Sequence, residues 1–217
     1  MSLRGKIEFA EITDTGRVRD HNEDAIGSDP DIGLMVLADG MGGYNAGEVA
    51  SGIAVQIVSE LATEGASREN RDEIDPHSGL MRQSIVLRDA VYRANKIIFQ
   101  TAQSQTHCEG MGTTIVAAMF YDNKISIAHV GDSRAYRLRG DKLHQLTFDH
   151  SLVWEMRAAG QISDDSDAAS AIPKNVITRS LGPNAEVVVT IARLGCFCVF
   201  EIIPRECRYF LAKAFRT

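Results

Sequence analysis

A carboxylate that ends an apolar run and opens a glycine-rich turn is the most informative chemical feature of this sequence. Residues 39–43 read Asp-Gly-Met-Gly-Gly and directly follow the apolar run 34–38. If that run is a buried strand, Asp39 stands at its mouth, and Gly40 leaves the neighbouring carbonyl open to close approach. Carboxylate and carbonyl oxygens are the ligands that hard divalent cations prefer. The segment therefore indicates a cation site, with a simple strand-to-helix turn as the structural alternative.

An arginine among polar and acidic residues precedes that segment. Residues 19–24 read Arg-Asp-His-Asn-Glu-Asp. The planar guanidinium of Arg19 can grip a phosphate in two places, and Glu23 and Asp24 supply carboxylates for cations beside it. His21 is the first candidate for giving a proton to a leaving group, although a structural or surface role is the commoner use of such a histidine. A solvated charged loop is the alternative for the whole cluster.

Two further segments carry glycines or an acid next to predicted strands. Residues 110–114, Gly-Met-Gly-Thr-Thr, would let the backbone pass close to a metal centre, but a plain loop that enters a strand is the favoured interpretation. Residues 129–134, His-Val-Gly-Asp-Ser-Arg, place Asp132 between two strands. Asp132 is either an outer metal ligand or part of a hairpin turn, where aspartate and glycine are common.

The bulk composition is that of an ordinary globular protein. The chain has 217 residues, 44% of them hydrophobic and 24% charged, which suits one domain with a sizeable core. The formal net charge of -6 argues mildly against general nucleic-acid binding. The sequence shows no apolar stretch of roughly 18 residues and no signal-peptide pattern, so the expected compartment is the cytoplasm. The four cysteines, three of which follow residue 195, do not make a disulfide framework.

Hydrophobic periodicity and turn residues predict strands in both halves of the chain and two long helices between them. The predicted strands are 7–12, 34–38, 114–120, 124–130, 134–138 and 142–146, with extended segments at 176–181 and 186–194. The predicted helices are 47–61, 80–102 and a short one at 150–159, and the predicted loops are 13–24, 63–79 and 163–170. The closely spaced strands from 114 to 146 predict an antiparallel meander. This order favours an α+β fold over alternating βαβ units.

Taken in this order and at these spacings, the four segments resemble the metal-dependent Ser/Thr protein phosphatases of the PP2C (PPM) family, in particular its bacterial branch. The resemblance extends from about residue 7 to residue 194, and residues 176–182, Val-Ile-Thr-Arg-Ser-Leu-Gly, match a further family segment. It implies an α+β fold, an αββα sandwich of two antiparallel sheets flanked by helix pairs. It also implies two Mn²⁺ or Mg²⁺ ions at one edge of the sandwich, with a third, weaker metal site in bacterial members.

The resemblance also implies roles for individual residues. Asp39 would bridge both ions through its carboxylate, and Gly40 would bind one ion through its carbonyl. Glu23 or Asp24 would serve the ions directly or through water. Asp132 resembles the residue that helps the third metal site.

The implied reaction is hydrolysis of phosphoserine and phosphothreonine in proteins by a metal-activated water, with Arg19 holding the substrate phosphate. The expected partners are phosphorylated proteins and a Ser/Thr kinase whose signalling the phosphatase opposes. No nucleic acid or membrane partner is expected, and the chain is expected to be a monomer. The sequence contains neither the Cys–Arg spacing of cysteine-based phosphatases nor a Walker-type phosphate loop.

The resemblance breaks at the C-terminus. The family pattern continues with an Asp-Gly pair and an Asp-Asn pair that supply metal ligands, but no aspartate follows Asp167 in this sequence. Residues 193–217 carry five Lys or Arg and two Glu, whereas the rest of the chain carries 18 basic and 27 acidic residues. We therefore predict an incomplete phosphatase domain at 1–194 and a tail at 195–217 that does not match the family, through a frameshift, a truncation or a natural replacement.

The lack of these C-terminal metal-binding acids lowers the activity that we expect. Two cations held close together need several anionic ligands to offset their mutual repulsion. With Asp39, Glu23 and Asp24 alone, we predict a weakly held metal pair, low or absent activity and reduced stability. The alternative function is therefore a catalytically impaired pseudophosphatase that binds a phosphoprotein or a kinase. A metal-dependent hydrolase of a small phosphate ester is a third hypothesis.

Overall fold

Two antiparallel sheets pack face to face, and two long helices cover the outer face of one of them. The structure is a computed structural model that describes residues 7–17, 19–43, 46–66, 73–139, 141–163, 172–173 and 175–195, together with the backbone of 199–203. The elements in chain order are β1 (Asp24–Asp29), β2 (Leu34–Met41), α1 (Ala46–Ala66), α2 (Arg82–Ser104), β3 (Gly112–Thr113), β4 (Ile115–Tyr121), β5 (Lys124–Val130), β6 (Arg134–Arg139), β7 (Lys142–Gln145), α3 (Leu152–Ala158), β8 (Thr190–Gly195) and β9 (Val199–Ile203).

Strand pairing defines the two sheets. The first sheet pairs in the order β1-β2-β4-β5-β8, with the short β3 also on β2, and the second sheet pairs in the order β7-β6-β9. All of these pairs are antiparallel, which confirms the predicted α+β class with two antiparallel sheets. Both long helices pack on the first sheet, and no long helix lies over the second sheet in the described part of the chain. Within that part, the sandwich therefore lacks the helix layer expected on its far side.

The apolar run at the start of β2 is buried on both faces. Because successive side chains of a strand point to opposite faces, a strand between helices and a second sheet needs an unbroken apolar sequence. Asp39 follows this run and continues the row that faces the second sheet. The prediction of a buried strand at 34–38 is confirmed. The two rows are Leu34, Val36 and Ala38 toward the helices, and Met35 and Leu37 toward the second sheet.

The two long helices are confirmed: α1 is longer than predicted, and α2 has the predicted length but begins and ends two residues later. α2 buries the predicted apolar face, whereas the buried face of α1 consists mainly of alanines at four-residue intervals. Small side chains let α1 lie close to the first sheet and to α2. At Gly65, for example, an added Cβ would lie 2.5 Å from Val86 Cγ1 of α2. The residues on these buried helix faces are Leu87, Val91, Ala94 and Ile98 in α2, and Ala50, Ala54, Val58 and Ala62 in α1.

The strand predicted at 7–12 is wrong. Its first two residues have bridge-type pairing only, and Phe9 packs onto the core between the sheets. The edge of the first sheet is formed by β1 instead, which no sequence pattern predicts. The helix-facing row of β1 contains Gly27, where an added Cβ would lie 2.8 Å from Val55 Cγ1 of α1. Since α1 leaves no room for a large apolar side chain there, β1 lacks the alternation that identifies a strand.

The predicted meander is divided between the two sheets. β4 and β5 form a hairpin whose turn residues, Asp122 and Asn123, have φ values of 42° and 61°, as a two-residue hairpin loop requires. β6 and β7 form the next hairpin in the second sheet. Residues 131–133, here called the crossover, therefore connect the two sheets and are not a turn within one sheet. Gly131 redirects the chain with a φ of 104°, a conformation that favours glycine.

Two stacked histidines fix the crossover. The rings of His129 and His150 are stacked with centroids 4.7 Å apart. The Gly131 N–H donates to His150 Nδ1 (3.1 Å), and the His150 N–H donates to the Gly131 carbonyl (2.9 Å). Acceptance at Nδ1 leaves the ring proton on Nε2, which lies 2.9 Å from Thr190 Oγ1. Burial, then the charges of His129 and Arg179, lower the pKa of His150 to about 4, against a smaller opposite effect of Asp149.

Other differences concern the ends of segments. The loop predicted at 63–79 begins after α1 ends at Ala66, and its residues 67–72 lie outside the described residues. The extended segment 176–181 makes isolated bridges instead of a strand, and most of the acidic loop 163–170 lies outside the described residues. The three C-terminal cysteines lie outside them as well. None of the helices that the structure describes combines the length and apolar character needed to cross a membrane.

We predict that the neutral state of His150 makes the protein less stable in mild acid. The unfolded chain protonates this histidine near its ordinary pKa of about 6.5, whereas the folded protein resists protonation until about pH 4. The stabilisation is therefore complete above pH 6.5 and declines as the pH falls toward 4. The slope reaches at most about 1.4 kcal/mol per pH unit, and solvent screening lowers it.

Urea unfolding at several pH values between 7 and 4 measures this effect. His150→Gln removes the titrating group, so its stability should depend less on pH than that of the wild type. His144→Gln, at an exposed position on β7, is the matched control and should keep the wild-type slope. Equal slopes for all three proteins would contradict the prediction.

Candidate functional site

One end of the first sheet brings two carboxylates together where β1 begins and β2 ends. Asp24 and Asp39 are opposite each other in the β1–β2 register, with their carboxyl groups within hydrogen-bonding reach, a bond that requires a proton on one of the two. Asp24 continues the row of Ile26 and Asp39 continues the row of Leu37, both of which contribute to the core between the sheets. The acid pair therefore lies at the mouth of the space between the two sheets.

Burial dominates the electrostatics of this pair. It raises the pKa of Asp24, and the hydrogen bond with Asp39 and the charge of Arg19 offset part of that rise, while Glu23 adds to it. Two adjacent carboxylates in such a place are hard to keep ionised together unless a proton or a cation compensates them. The side-chain atoms that this pair could offer to a metal ion are all oxygens, so the pair fits a hard divalent cation.

Glu23 is held between β2 and the first turn of α1. Its backbone carbonyl accepts hydrogen bonds from the Gly40 N–H (3.1 Å) and the Ser51 hydroxyl (2.6 Å). Its carboxylate lies against Gly47, where an added Cβ would meet Glu23 Oε1 and lie 2.8 Å from Glu23 Cδ. A Cβ at Gly40 would in turn meet the Gly47 carbonyl. The two glycines therefore allow the close approach that seats this carboxylate beside a helix N-terminus, where negative charge is favoured.

Arg19 lies on the solvent side of the acids. Its Nη1 is 3.7 Å from Glu23 Oε2, and the Arg19 side chain is 53% exposed, against 19% for Glu23. A guanidinium so exposed remains accessible to an anion from solution. His21 is exposed on the same loop. The structure therefore brings Arg19, Glu23 and the acid pair into one cluster, with His21 at its outer side.

Two threonines hold the backbone of Asp39, in a segment whose favoured sequence interpretation was a plain loop. The Thr114 N–H and the Thr113 hydroxyl both donate to the Asp39 carbonyl, at 2.9 Å and 3.0 Å. The Asp39 N–H donates to Thr114 Oγ1 at 3.1 Å. Thr113 also pairs through its backbone with Leu181, and Asn95 of α2 accepts a hydrogen bond from the next residue, Gly182. The segment therefore positions Asp39 instead of contacting a substrate itself.

Asp132 lies in the crossover and is only 4% exposed. Its neighbour Ser133 has its Oγ 2.7 Å from Thr114 Oγ1, so the crossover rests on the threonine that holds Asp39. This chain of contacts brings Asp132 to the same end of the first sheet as the acid pair. Among the residues that the structure describes, however, no group of three or more His, Cys, Asp or Glu side chains is placed to hold a metal ion.

Several residues that shape the site are not predicted by the sequence. They are backbone-holding hydroxyls and a glycine of close approach, and their types are common in any loop or helix. The one sequence signal for them is the pair of threonines after a Gly-x-Gly turn, directly before a strand. These residues are Gly47, Ser51, Thr113, Thr114 and Ser133.

Comparisons with known proteins agree with this arrangement. Residues 16–162 match the family model described as protein phosphatase 2C. The serine/threonine phosphatase Stp of Listeria welshimeri is 41% identical over 180 residues, which is 82% of this chain and 68% of that protein. The part of the chain that matches the family model includes the loop with Arg19 and the segments with Asp39 and Asp132.

Solved structures show the same fold. A crystal structure of the Mycobacterium tuberculosis serine/threonine phosphatase PstP/Ppp superposes with a TM-score of 0.75 at 30% identity, covering 91% of this chain and 77% of that one. A structure of the PstP catalytic domain in complex with two manganese ions gives a TM-score of 0.70 at 31% identity, over 91% and 76% of the two chains. The chain therefore belongs to the protein phosphatase 2C family of serine/threonine phosphatases.

Proposed function

We propose that the acid pair and its neighbours form the metal site of a phosphatase that hydrolyses phosphoserine and phosphothreonine with a metal-activated water. The observation that carries this proposal is the hydrogen-bonded pair Asp24–Asp39, whose burial raises the pKa of Asp24. A buried carboxylate pair favours a divalent cation as its compensating charge. The two manganese ions in the PstP structure support the same cofactor class, Mn²⁺ or Mg²⁺, for this chain.

Each residue has a proposed role. Asp39 and the Gly40 carbonyl bind the cations, Glu23 or Asp24 serves them directly or through water, and Asp132 contributes to an outer site. A bound divalent cation lowers the pKa of its water and offsets charge on phosphoryl oxygens. These oxygens would hold that cation, and the half-exposed Arg19 lies close to Glu23 beside them.

The substrate phosphate is held by Arg19 in this proposal. The guanidinium is half-exposed and close to Glu23, so it can turn to an arriving phosphate in a bidentate contact without leaving the site. His21 is the proposed proton donor to the departing serine or threonine oxygen, since it is exposed on the same loop. The proposed partners are phosphorylated proteins and a Ser/Thr kinase, met in the cytoplasm by a monomeric phosphatase.

A pseudophosphatase remains the second candidate, because two observations favour it. The described residues hold no group of three metal-binding side chains, and no aspartate follows Asp167. We propose the domain division made from the sequence, with an incomplete phosphatase domain at 1–194 and a tail at 195–217. Part of that tail, β9, pairs with β6 at an edge of the second sheet.

Calorimetry with Mn²⁺ and a phosphatase assay separate these candidates. The proposed enzyme should bind Mn²⁺ and hydrolyse a phosphoserine peptide, and Asp39→Asn should abolish both. With its incomplete acid set, we expect turnover far below the usual 1–10³ s⁻¹ of enzymes. Phosphopeptide binding without Mn²⁺ binding would indicate the pseudophosphatase. Hydrolysis of p-nitrophenyl phosphate but of no phosphopeptide would indicate a hydrolase of small esters.

We predict that Gly47→Ala disturbs the site from the helix side. The added methyl group would collide with the Glu23 carboxylate, so Glu23 must move, and we expect a loss of roughly 1–3 kcal/mol in stability together with weaker Mn²⁺ binding. Gly52→Ala in the same helix is the matched control, because nothing lies within 4 Å of its added Cβ. It should stabilise the protein by about 0.5–1 kcal/mol and leave Mn²⁺ binding unchanged. Equal Mn²⁺ affinities in the two variants would refute the proposed seat of Glu23.

We also predict that the acid pair lowers the stability of the metal-free protein. Asp24→Asn removes one of two adjacent carboxylates, so in EDTA at pH 7 it should raise the free energy of unfolding by roughly 0.5–1 kcal/mol, after allowance for solvent screening. It should also weaken Mn²⁺ binding, so added Mn²⁺ should stabilise it less than the wild type. Asp20→Asn, an exposed acid of the same loop, is the control and should change neither quantity. A destabilised Asp24→Asn protein in EDTA would contradict the prediction.

A further inference from the structure

Thr114 contacts the two residues that flank Asp132 in the chain. Its Oγ1 lies 2.7 Å from Ser133 Oγ, one residue after Asp132. On the other side, a Cβ added to Gly131 would lie 2.7 Å from both Cβ and Cγ2 of Thr114, so the threonine methyl rests on that glycine. Together with His150, the side chain of Thr114, between β3 and β4, therefore holds the crossover in place.

The same threonine holds Asp39 through two hydrogen bonds. Its N–H donates to the Asp39 carbonyl at 2.9 Å, and its Oγ1 accepts the Asp39 N–H at 3.1 Å. Since that oxygen accepts from Asp39, its own proton is free to be donated to Ser133 Oγ. Thr114 and Ser133 are each 1% exposed, so water does not compete for these bonds.

We infer that Thr114, with Ser133 as its partner, is a positioning residue that sets the location of Asp132 relative to Asp39. The inference rests on the proposed metal site, in which these two aspartates are ligands. Hydroxyls that hold the residues around a metal commonly change metal affinity by 10–100-fold when removed. The effect here is transmitted through backbone, because Thr114 bonds the Asp39 peptide and the crossover and not the carboxylates.

Side-chain shape and hydroxyl chemistry can be separated at this position. Thr114→Val keeps the two branches that contact Gly131 but lacks the hydroxyl, and Thr114→Ser keeps the hydroxyl but lacks the methyl. We expect Thr114→Val and Ser133→Ala each to weaken Mn²⁺ binding by about 10-fold or more in calorimetry. Thr114→Ser should bind Mn²⁺ within about 3-fold of the wild type. The double variant should bind about as weakly as Thr114→Val alone, because Thr114→Val already removes the bond that Ser133→Ala removes.

The chain contains a matched control for a merely structural role. Ser84 of α2 and Ser126 of β5 form another buried hydroxyl contact with the same Oγ–Oγ distance of 2.7 Å, and Ser126 Oγ also lies 2.7 Å from the Tyr121 hydroxyl. Ser126 is opposite Met119 in the β4–β5 register, far along the strands from the acid pair. Ser84→Ala should lower the urea midpoint as Ser133→Ala does, but it should leave Mn²⁺ affinity unchanged.

A second measurement does not depend on metal. Hydrogen exchange of the Asp39 amide in EDTA should speed up most in Thr114→Val, which lacks the acceptor Thr114 Oγ1. It should speed up less in Ser133→Ala, where Thr114 Oγ1 keeps that bond but loses the hydroxyl partner that orients it, and it should not change in Ser84→Ala. Absence of Mn²⁺ binding in the wild type would defeat the proposed metal site, and amide exchange would then decide the positioning role alone. Unchanged Asp39 exchange in Ser133→Ala, or equal Mn²⁺ affinities in wild type and Thr114→Val, would overturn the inference.

Discussion

The crowding of two half-buried carboxyl groups, which would repel each other if both were ionised, is the constraint on which the arrangement of this site depends. Antiparallel register places Asp24 opposite Asp39, at the separation where like charges on a sheet destabilise it. The surrounding backbone is tied down in spite of that repulsion. Glu23 is bound by Gly40 and Ser51, and Asp39 is bound by Thr113 and Thr114. The strand ends therefore cannot relax apart, and the negative charge stays concentrated at the mouth between the sheets.

Among the described residues, Arg19 compensates that charge only in part. His129 and His150 lie at the same end of the first sheet, but burial lowers the pKa of both, so they are neutral at physiological pH. The bidentate contact of Arg134 is with Asp149, at 2.7 Å and 2.6 Å. Arg19 is close to Glu23 but half-exposed.

The amino-acid sequence predicts the candidate metal ligands better than it predicts the contacts that position them. The apolar run before Asp39 predicts β2 because burial on both faces requires an unbroken apolar sequence, and α2 follows from its helical spacing. β1 has no such signal, since Gly27 must be small where α1 lies against it. The crossover could not be predicted for another reason. The local sequence indicates that the chain turns at Gly131. Which sheet the next strand joins, however, is decided by the packing of the two sheets. The role of Gly47 likewise depends on Glu23, and that of Thr114 on Asp39, residues that are distant from them in the chain.

All the proposed metal ligands lie early in the chain, and this limits what the lack of the C-terminal acids of the family pattern changes. Every proposed ligand comes from the first 132 residues, on β1, β2 and the crossover, and these elements are held together by hydrogen bonds that involve no residue of the tail. The half of the site that the structure describes is thus preorganised without the C-terminal acids of the family pattern. Preorganisation lowers the cost of binding a first cation but does not reduce the repulsion between two cations. This half-site should therefore favour one cation at a time, and a second would need carboxylates from outside the described residues or from a partner.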